Sequence, residues 1–324
     1  MRFLFSKEKT MIYYFSGTGN SHYVAEVLSK SLQDTMQSIE SAQGIKQDEM
    51  IGIVTPVYFF GLPDIVKDFL ERLSVSSKSY FYLVVTYGGK PANIGKEANK
   101  IMQKKGTGFY AMYGVKMVDT YIPMYDASKN EKIESSINPQ IEEIITQIKE
   151  RRIGDYLKGT VPVLINKACS FQYKQIRKTD NLTIDESCIH CGLCAKECPE
   201  QAIEIKDHVT FKKEQCMMCL RCLHHCPVNA IRFKNKDKGQ YRGVTMIKED
   251  ILIKNTTREQ REQIVNDALG IVDGLCDGCS QGIISMYDAY IDGLKELDEI
   301  NREFNAHYEV DDKRGGNRGG CSMM

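Results

Sequence analysis

Over the first 150 residues, short apolar runs alternate with longer stretches in which apolar positions recur every three to four residues. Residues 11–15 (Met-Ile-Tyr-Tyr-Phe), 50–60 and 80–86 are continuous enough to be strands buried on both faces. A fourth candidate strand lies within 109–118, and 36–39 supplies an edge strand. The intervening stretches have helical spacing. One carries Val24, Ala25, Val27, Leu28 and Leu32, and the next starts at Pro63 and buries Ile65, Val66, Phe69, Leu70 and Leu73. A third falls near 93–104, and Asn138-Pro139 caps a fourth that bears Ile141, Ile144, Ile145 and Ile148. Strand–helix alternation of this kind predicts an α/β doubly wound parallel sheet.

In such a sheet, ligands bind beyond the carboxyl ends of the strands. Three loops project there. The first, Ser16, Gly17, Thr18, Gly19, Asn20 and Ser21, is small and polar and opens a helix, so its N–H groups, hydroxyls and helix dipole suit a phosphate. It is neither a Walker A loop nor the G-x-G-x-x-G fingerprint. The second, Pro56-Val57 followed by Tyr58, Phe59, Phe60 and Gly61, offers an aromatic face to a flat ring. The third, Tyr87, Gly88 and Gly89, allows close backbone approach, with Lys90 beside it.

Further along, C-x2-C-x2-C-x3-C-P occurs twice: Cys188, Cys191, Cys194 and Cys198-Pro199, then Cys216, Cys219, Cys222 and Cys226-Pro227. This spacing builds the bacterial two-cluster [4Fe–4S] site, in which three thiolates wrap one cube and the fourth reaches to the other. The expected quartets are therefore Cys188, Cys191, Cys194 and Cys226, and Cys216, Cys219, Cys222 and Cys198. Zinc sites also use C-x2-C pairs, but with four ligands per ion drawn from two pairs. Ala202-Ile203 and Ala230-Ile231 match in the two copies, as expected of hairpins that bury isoleucines against the clusters. His190, His224 and His225 read as surrounding or solvent-facing residues, since eight cysteines already satisfy two cubes.

Taken in order, the phosphate-type loop, the aromatic loop, Val85-Thr-Tyr-Gly-Gly89 and the doubled cysteine motif resemble the EFR1 family over roughly residues 11–236. These are ferredoxins with an N-terminal flavodoxin-like domain. The resemblance implies FMN as ligand and electron transfer as activity, without fixing a substrate. It implies that Ser16 to Ser21 hold the phosphate, while Tyr58 to Gly61 and Tyr87 to Gly89 flank the ring. The chain has no tryptophan, so stacking falls to tyrosine or phenylalanine. Residues 1–10 precede the family-like strand, leaving open whether Met1 or Met11 is the start.

The expected organisation is a flavodoxin-like domain (1–152), a linker (153–180) in which 160–165 forms a strand, a two-cluster ferredoxin domain (181–237), a helical region (238–308) and a glycine-rich flexible tail (309–324). In the helical region, Thr256 and Glu259 form a capping box for a helix burying Ile264, Val265, Ala268, Leu269 and Val272, and a long helix follows over 281–306. Cys169 reads as an incidental thiol. Cys276, Cys279 and Cys321 leave two readings open, a dithiol or metal accessory and plain helical thiols.

Bulk composition narrows the function further. Lys plus Arg and Asp plus Glu both number 43 in 324 residues, which argues against nucleic acid as a partner. The apolar runs are too short to insert in a membrane. Twelve cysteines in an expected cytoplasmic protein point to metal ligands, and exposed clusters point to an anaerobic setting. The function expected is an iron–sulfur flavoprotein moving electrons between two [4Fe–4S] clusters and FMN. It would serve a redox partner protein, or act as a reductase on a small molecule. No side chain stands out as a general acid, base or nucleophile. The alternatives are a ferredoxin-type subunit with a flavin-free docking domain, and a thiol or metal-handling reductase using Cys276, Cys279 and Cys321.

Overall fold

The computed structural model describes residues 10–42, 49–122, 130–159, 161–177, 179–206, 208–212, 214–234, 240–241, 253–269, 287–297 and 299–300. The chain divides into two compact units, Met1–Val244 and Thr245–Met324.

The first unit is built on a six-stranded parallel sheet in the order β2-β1-β3-β4-β5-β6. Its strands are β1 (Thr10–Tyr14), β2 (Thr35–Ser38), β3 (Met50–Pro56), β4 (Tyr80–Tyr87), β5 (Ala111–Lys116) and β6 (Gly154–Asp155). β3 and β4 are buried along nearly their whole length, as a central parallel strand covered on both faces must be. The crossovers are α1 (Asn20–Leu32), α2 (Asp64–Arg72), α3 (Ile94–Gln103) and α4 (Asn130–Lys149). α1 packs with α4, and α2 with α3. Because β1 lies between β2 and β3, the loops after β1 and β3 part at the carboxyl edge and leave the switch-point crevice between them.

Two local expectations change. α4 does not begin at Asn138; it runs from Asn130 straight through Pro139. The stripe of Ile133, Ile137, Ile141, Ile144 and Ile148 continues across the proline, and Ile137, Ile141 and Ile148 are fully buried. Packing outweighs the lost hydrogen bond, and Gln140 Nε2 donates to Ser136 O (2.9 Å) beside the break. Residues 153–180 supply the sixth strand and then α5 (Val163–Ile176), so the expected strand over 160–165 is replaced at 163–165 by helix. Pro162 sits immediately before the first turn of α5, a position that favours helix initiation.

After α5, β7 (Leu182–Ile184) pairs antiparallel with β10 (Ile231–Phe233), and β8 (Ile203–Ile205) with β9 (Val209–Phe211). Two short helices, α6 (Leu193–Lys196) and α7 (Arg221–His225), occupy matching places in the two cysteine motifs. The duplication extends to the backbone. His190 and Gly192 (φ 54 and 80) correspond to Met218 and Leu220 (φ 55 and 60), and Gln201 (φ 48) corresponds to Asn229 (φ 50). Left-handed residues on either side of the second cysteine turn the chain tightly enough for three sulfurs to face one point.

In the second unit, α8 (Arg258–Leu269) buries Val265 and packs Ile264 against Tyr290 and Ile291 of α9 (Asp288–Ile291). Its capping box lies one residue later than expected. Thr257 N–H donates to Gln260 Oε1 (2.9 Å), and Gln260 N–H donates to Thr257 Oγ1 (3.3 Å). α9 is short rather than part of one long helix, because Gly293 (φ 75) closes it, with Leu294 N–H donating to Ala289 O (2.8 Å). Cys276, Cys279, Cys321 and the glycine-rich tail lie outside the described residues.

Candidate metal centres and the loop beside them

Each predicted quartet lines its own recess. Cys216, Cys219, Cys222 and Cys198 line one of about 370 Å³, counting its open mouth, and Cys188, Cys191, Cys194 and Cys226 line one of about 360 Å³. The near-equal sizes fit two centres of one kind. Among the described residues, no three His, Cys, Asp or Glu side chains converge closely enough for a single metal ion. We call the first quartet inner, because Cys219 packs against the sheet core, and the second outer, because Cys191 and Ile189 are exposed.

The alanines matched between the copies have a role that spacing alone did not reveal. Ala202 N–H donates to Cys198 Sγ and Ala230 N–H donates to Cys226 Sγ, both at 3.2 Å. Met218 N–H likewise donates to Cys216 Sγ (3.3 Å). Such bonds favour the thiolate form and bear on cluster potential. Burial acts the other way on the free thiols. It pushes Cys219 up to about 12 and raises Cys194, Cys216 and Cys222. Loading the inner site therefore displaces protons, and its affinity increases with pH.

The inner quartet is seated on the loop after β1. A side-chain carbon added at Gly17 would lie 2.8 Å from Cys219 O, 3.3 Å from Cys219 Cβ and 2.4 Å from Tyr58 Oη. Arg221 fastens this contact. Its Nη2 donates to Ser16 O (2.6 Å), its Nη1 donates to Glu197 O (2.8 Å), and both grip Glu40. A second tie runs through His224, which is fully buried. Tyr241 N–H donates to His224 Nδ1 (2.9 Å), and His224 Nε2 faces Thr120 O (2.9 Å), which fixes the neutral ring with its proton on Nε2. Tyr241 Oη then donates to Asn20 Oδ1 (2.7 Å).

These contacts define what the phosphate-type loop can do. Ser16 Oγ accepts Gly19 N–H (3.1 Å), Thr18 Oγ1 donates to Thr120 Oγ1 (3.0 Å), Asn20 Nδ2 donates to Val118 O (2.9 Å), and Ser21 Oγ meets Thr86 Oγ1 (2.7 Å). The side chains hold the loop in shape. The first α1 hydrogen bond is Tyr23 N–H to Gly19 O, which leaves the N–H groups of residues 20–22 without helical partners for an anion. In the second loop, Tyr58 and Gly61 exchange backbone bonds (3.0 and 2.9 Å) around Phe59 and Phe60, both left-handed (φ 48 and 65). Phe59 stacks on Tyr173 of α5 (4.9 Å, 23°) and meets Tyr121 edge-on, so this aromatic face is turned toward protein. In the third loop, Tyr87 lies against Gly114 and Gly88 against Asp119, whereas Gly89 faces open space.

Residues 11–140 match the flavodoxin domain family model, and residues 187–230 match the 4Fe-4S dicluster domain model. A flavodoxin domain and a 4Fe-4S dicluster domain share one chain. Solved structures similar to it include the flavodoxin of Streptococcus pneumonia TIGR4 (13% identity, 44% of this chain and 98% of that one, TM-score 0.31). They also include the FMN-dependent NADH-azoreductase of Bacillus anthracis str. Ames Ancestor in complex with FMN (11%, 44% and 99%, 0.32). A third is the rubredoxin oxygen:oxidoreductase of the anaerobe Desulfovibrio gigas (12%, 45% and 37%, 0.29). No curated protein matches. The two domains support [4Fe–4S] clusters, two as a dicluster domain holds, and FMN as the cofactors. The cysteine recesses fit the clusters, and the α1 N-terminus fits the phosphate of FMN through its backbone. The chain is thus an electron-transferring iron–sulfur flavoprotein in outline. Among the described residues, no helix is long and apolar enough to cross a membrane.

Sequence reasoning missed Arg221, Glu40, Tyr241 and Thr120, and treated His224 as peripheral. A signal was present in the duplication. Arg221 and His224 stand where the first copy has Leu193 and Lys196, so the second copy had something to bind that the first did not.

Proposed function

We propose that the chain carries electrons between an external one-electron partner protein and the flavodoxin domain by way of the outer and then the inner quartet, the resemblance to the EFR1 family implying electron transfer as its activity. The observation that carries this reading is the contact of Cys219 with Gly17 of the phosphate-type loop. It sets the inner centre directly on the flavodoxin domain, while exposed Cys191 leaves the outer centre accessible. When bound, [4Fe–4S] clusters exchange single electrons and FMN one or two, which lets one chain join one-electron donors to a two-electron acceptor. The protein's part is to fix distances and to surround the sulfurs with donors. The N–H groups of Asn20 to His22 would hold the FMN phosphate, with open Gly89 beside the ring.

The test is cofactor content after purification without oxygen, at the proposed cytoplasmic and anaerobic conditions. About eight irons with matching sulfide and one FMN per chain support the reading. Eight irons without flavin, even after FMN is added, would leave the flavodoxin domain as a docking surface and overturn it.

A further inference from the structure

α5 is amphipathic in the reverse of the usual sense. The face turned to the body of the protein is polar and aromatic. Asn166 Nδ2 donates to Phe60 O (2.8 Å), Tyr173 Oη donates to Met217 O (2.6 Å), and the Tyr173 ring stacks on Phe59. Just beyond the helix, Arg177 pairs with Asp64 (2.5 Å). These ties fix how the helix is turned. By helical spacing, Asn166 and Tyr173 lie opposite Leu164, Ala168 and Phe171. All three of the latter are exposed, Leu164 by 80% and Phe171 by 67%, and neighbouring Ile165 by 47%. A single exposed apolar side chain is ordinary, but a stripe of them along one helix face marks a contact surface.

Charge singles out the occupant. Lys167 and Lys174, both exposed, run along one flank of the stripe. Between Asp155 and Asp180 the chain carries Lys158, Lys167, Lys174, Arg177 and Lys178 and no acidic residue, although acidic and basic residues balance at 43 each over the whole chain. The same segment in a second copy would offer no acidic residue to pair with it. An anionic lipid surface supplies the negative charge and needs no matching groove. We propose that α5 lies flat on such a surface, with Leu164 and Phe171 entering the boundary between headgroups and acyl chains and Lys167 and Lys174 held at the phosphates. This is peripheral attachment, since fourteen residues with a polar inner face cannot span a bilayer. Each lysine near the surface strengthens binding about fivefold, and salt weakens it. The inference is independent of which cofactors the chain holds.

The chain has no tryptophan, so Phe171→Trp places a single fluorophore on the stripe. The full chain, purified without oxygen as wild type and as Phe171→Trp, is floated with phosphatidylcholine vesicles that carry about 30 mol % phosphatidylglycerol or none. Both proteins should rise with the anionic vesicles only, and about 0.5 M NaCl should release them. The Phe171→Trp emission should shift to the blue on the anionic vesicles and be quenched by lipids brominated on their acyl chains. Leu164→Ser combined with Phe171→Ser touches only exposed side chains, so the fold and its iron content should be kept while partitioning falls about tenfold or more. Lys167→Gln combined with Lys174→Gln should lower it by a similar factor. Wild type that ignores the anionic vesicles, or a serine pair that floats as well as the wild type, would overturn the proposal. So would a concentration-dependent dimer abolished by the serine pair, or binding to polyglutamate, in the absence of vesicle binding; these would give the stripe to a second copy or to an acidic protein.

Discussion

Arg221 holds Glu40 through both carboxylate oxygens, Nη1 to Oε2 at 2.9 Å and Nη2 to Oε1 at 2.6 Å, joining the second cysteine motif to the segment that follows β2. The same guanidinium donates to Ser16 O and lies 5.9 Å over the Phe15 ring. Its side chain is only 13% exposed and that of Glu40 is 26% exposed, so this pair is far better shielded than a surface ion pair. Arg221→Ala leaves a carboxylate and two backbone carbonyls, Ser16 O and Glu197 O, without their donor, at a cost of about 2–3 kcal/mol. An anaerobic thermal melt should show the midpoint lowered by about 5 °C or more. Arg221→Lys should recover little, because a single ammonium cannot serve the forked carboxylate and two carbonyls together.

Gly17 has no room for a side chain. The carbon added in Gly17→Ala would come within 2.4 Å of Tyr58 Oη and 2.8 Å of the Cys219 carbonyl, which is backbone and cannot swing aside. Either the cysteine loop or the loop after β1 must move, with an overpacking cost of about 1–3 kcal/mol. The expected result is a lower melting midpoint together with weaker retention of the inner cluster, read as iron lost on dilution into chelator. Gly89→Ala, where the new carbon would meet nothing within 4 Å, serves as the control and should leave both readings unchanged.

The two recesses also assign each fourth cysteine to the opposite motif. Cys198 lines the recess of Cys216, Cys219 and Cys222, and Cys226 that of Cys188, Cys191 and Cys194. Cys198→Ser and Cys219→Ser should therefore alter the same EPR signal, and Cys226→Ser and Cys191→Ser the other. Loss of the affected cluster would lower iron from about eight to about four per chain. Grouping by sequence instead, with Cys198 behaving like Cys191, would show the recess assignment to be wrong.

The sheet was legible because apolar runs bounded by glycine and small polar residues have one economical reading, and β1, β3, β4 and β5 fall where those runs do. The quartets were legible because ligand spacing is a local property of the chain. What escaped was whatever depended on packing between distant segments. Pro139 reads as a helix start until the buried stripe through Ile133 and Ile137 outweighs it. Residues 153–180 look like a linker until β6 finds an edge of the sheet to join. Phe59 reads as a face for a flat ligand, but Tyr173, 114 positions later in the chain, covers it. The partners Glu40 and Asn20 of Arg221 and Tyr241 leave no trace in local sequence, because each pair spans some two hundred residues; only the departure of Arg221 from Leu193 in the first copy hinted at a contact.

Asp119 offers a prediction in pH. It follows β5 with its side chain against Gly88, and burial raises its carboxyl above the ordinary value, outweighing the bond accepted from Tyr121 N–H (3.0 Å). A carboxyl raised in the folded state binds its proton more tightly there than when unfolded. Its contribution to stability is complete below the unfolded value, near about 3.9, and is lost as pH rises through the folded value. At neutral pH the wild type therefore carries a poorly solvated charge. Asp119→Asn removes that charge while keeping an oxygen for Tyr121 N–H. The variant should melt at a higher temperature than the wild type at pH 7.5. The gap should be flat well above the folded value and narrow as the buffer is brought down through it. No difference in melting temperature at pH 7.5 would mean that Asp119 is ionised without penalty, and that burial does not govern its charge.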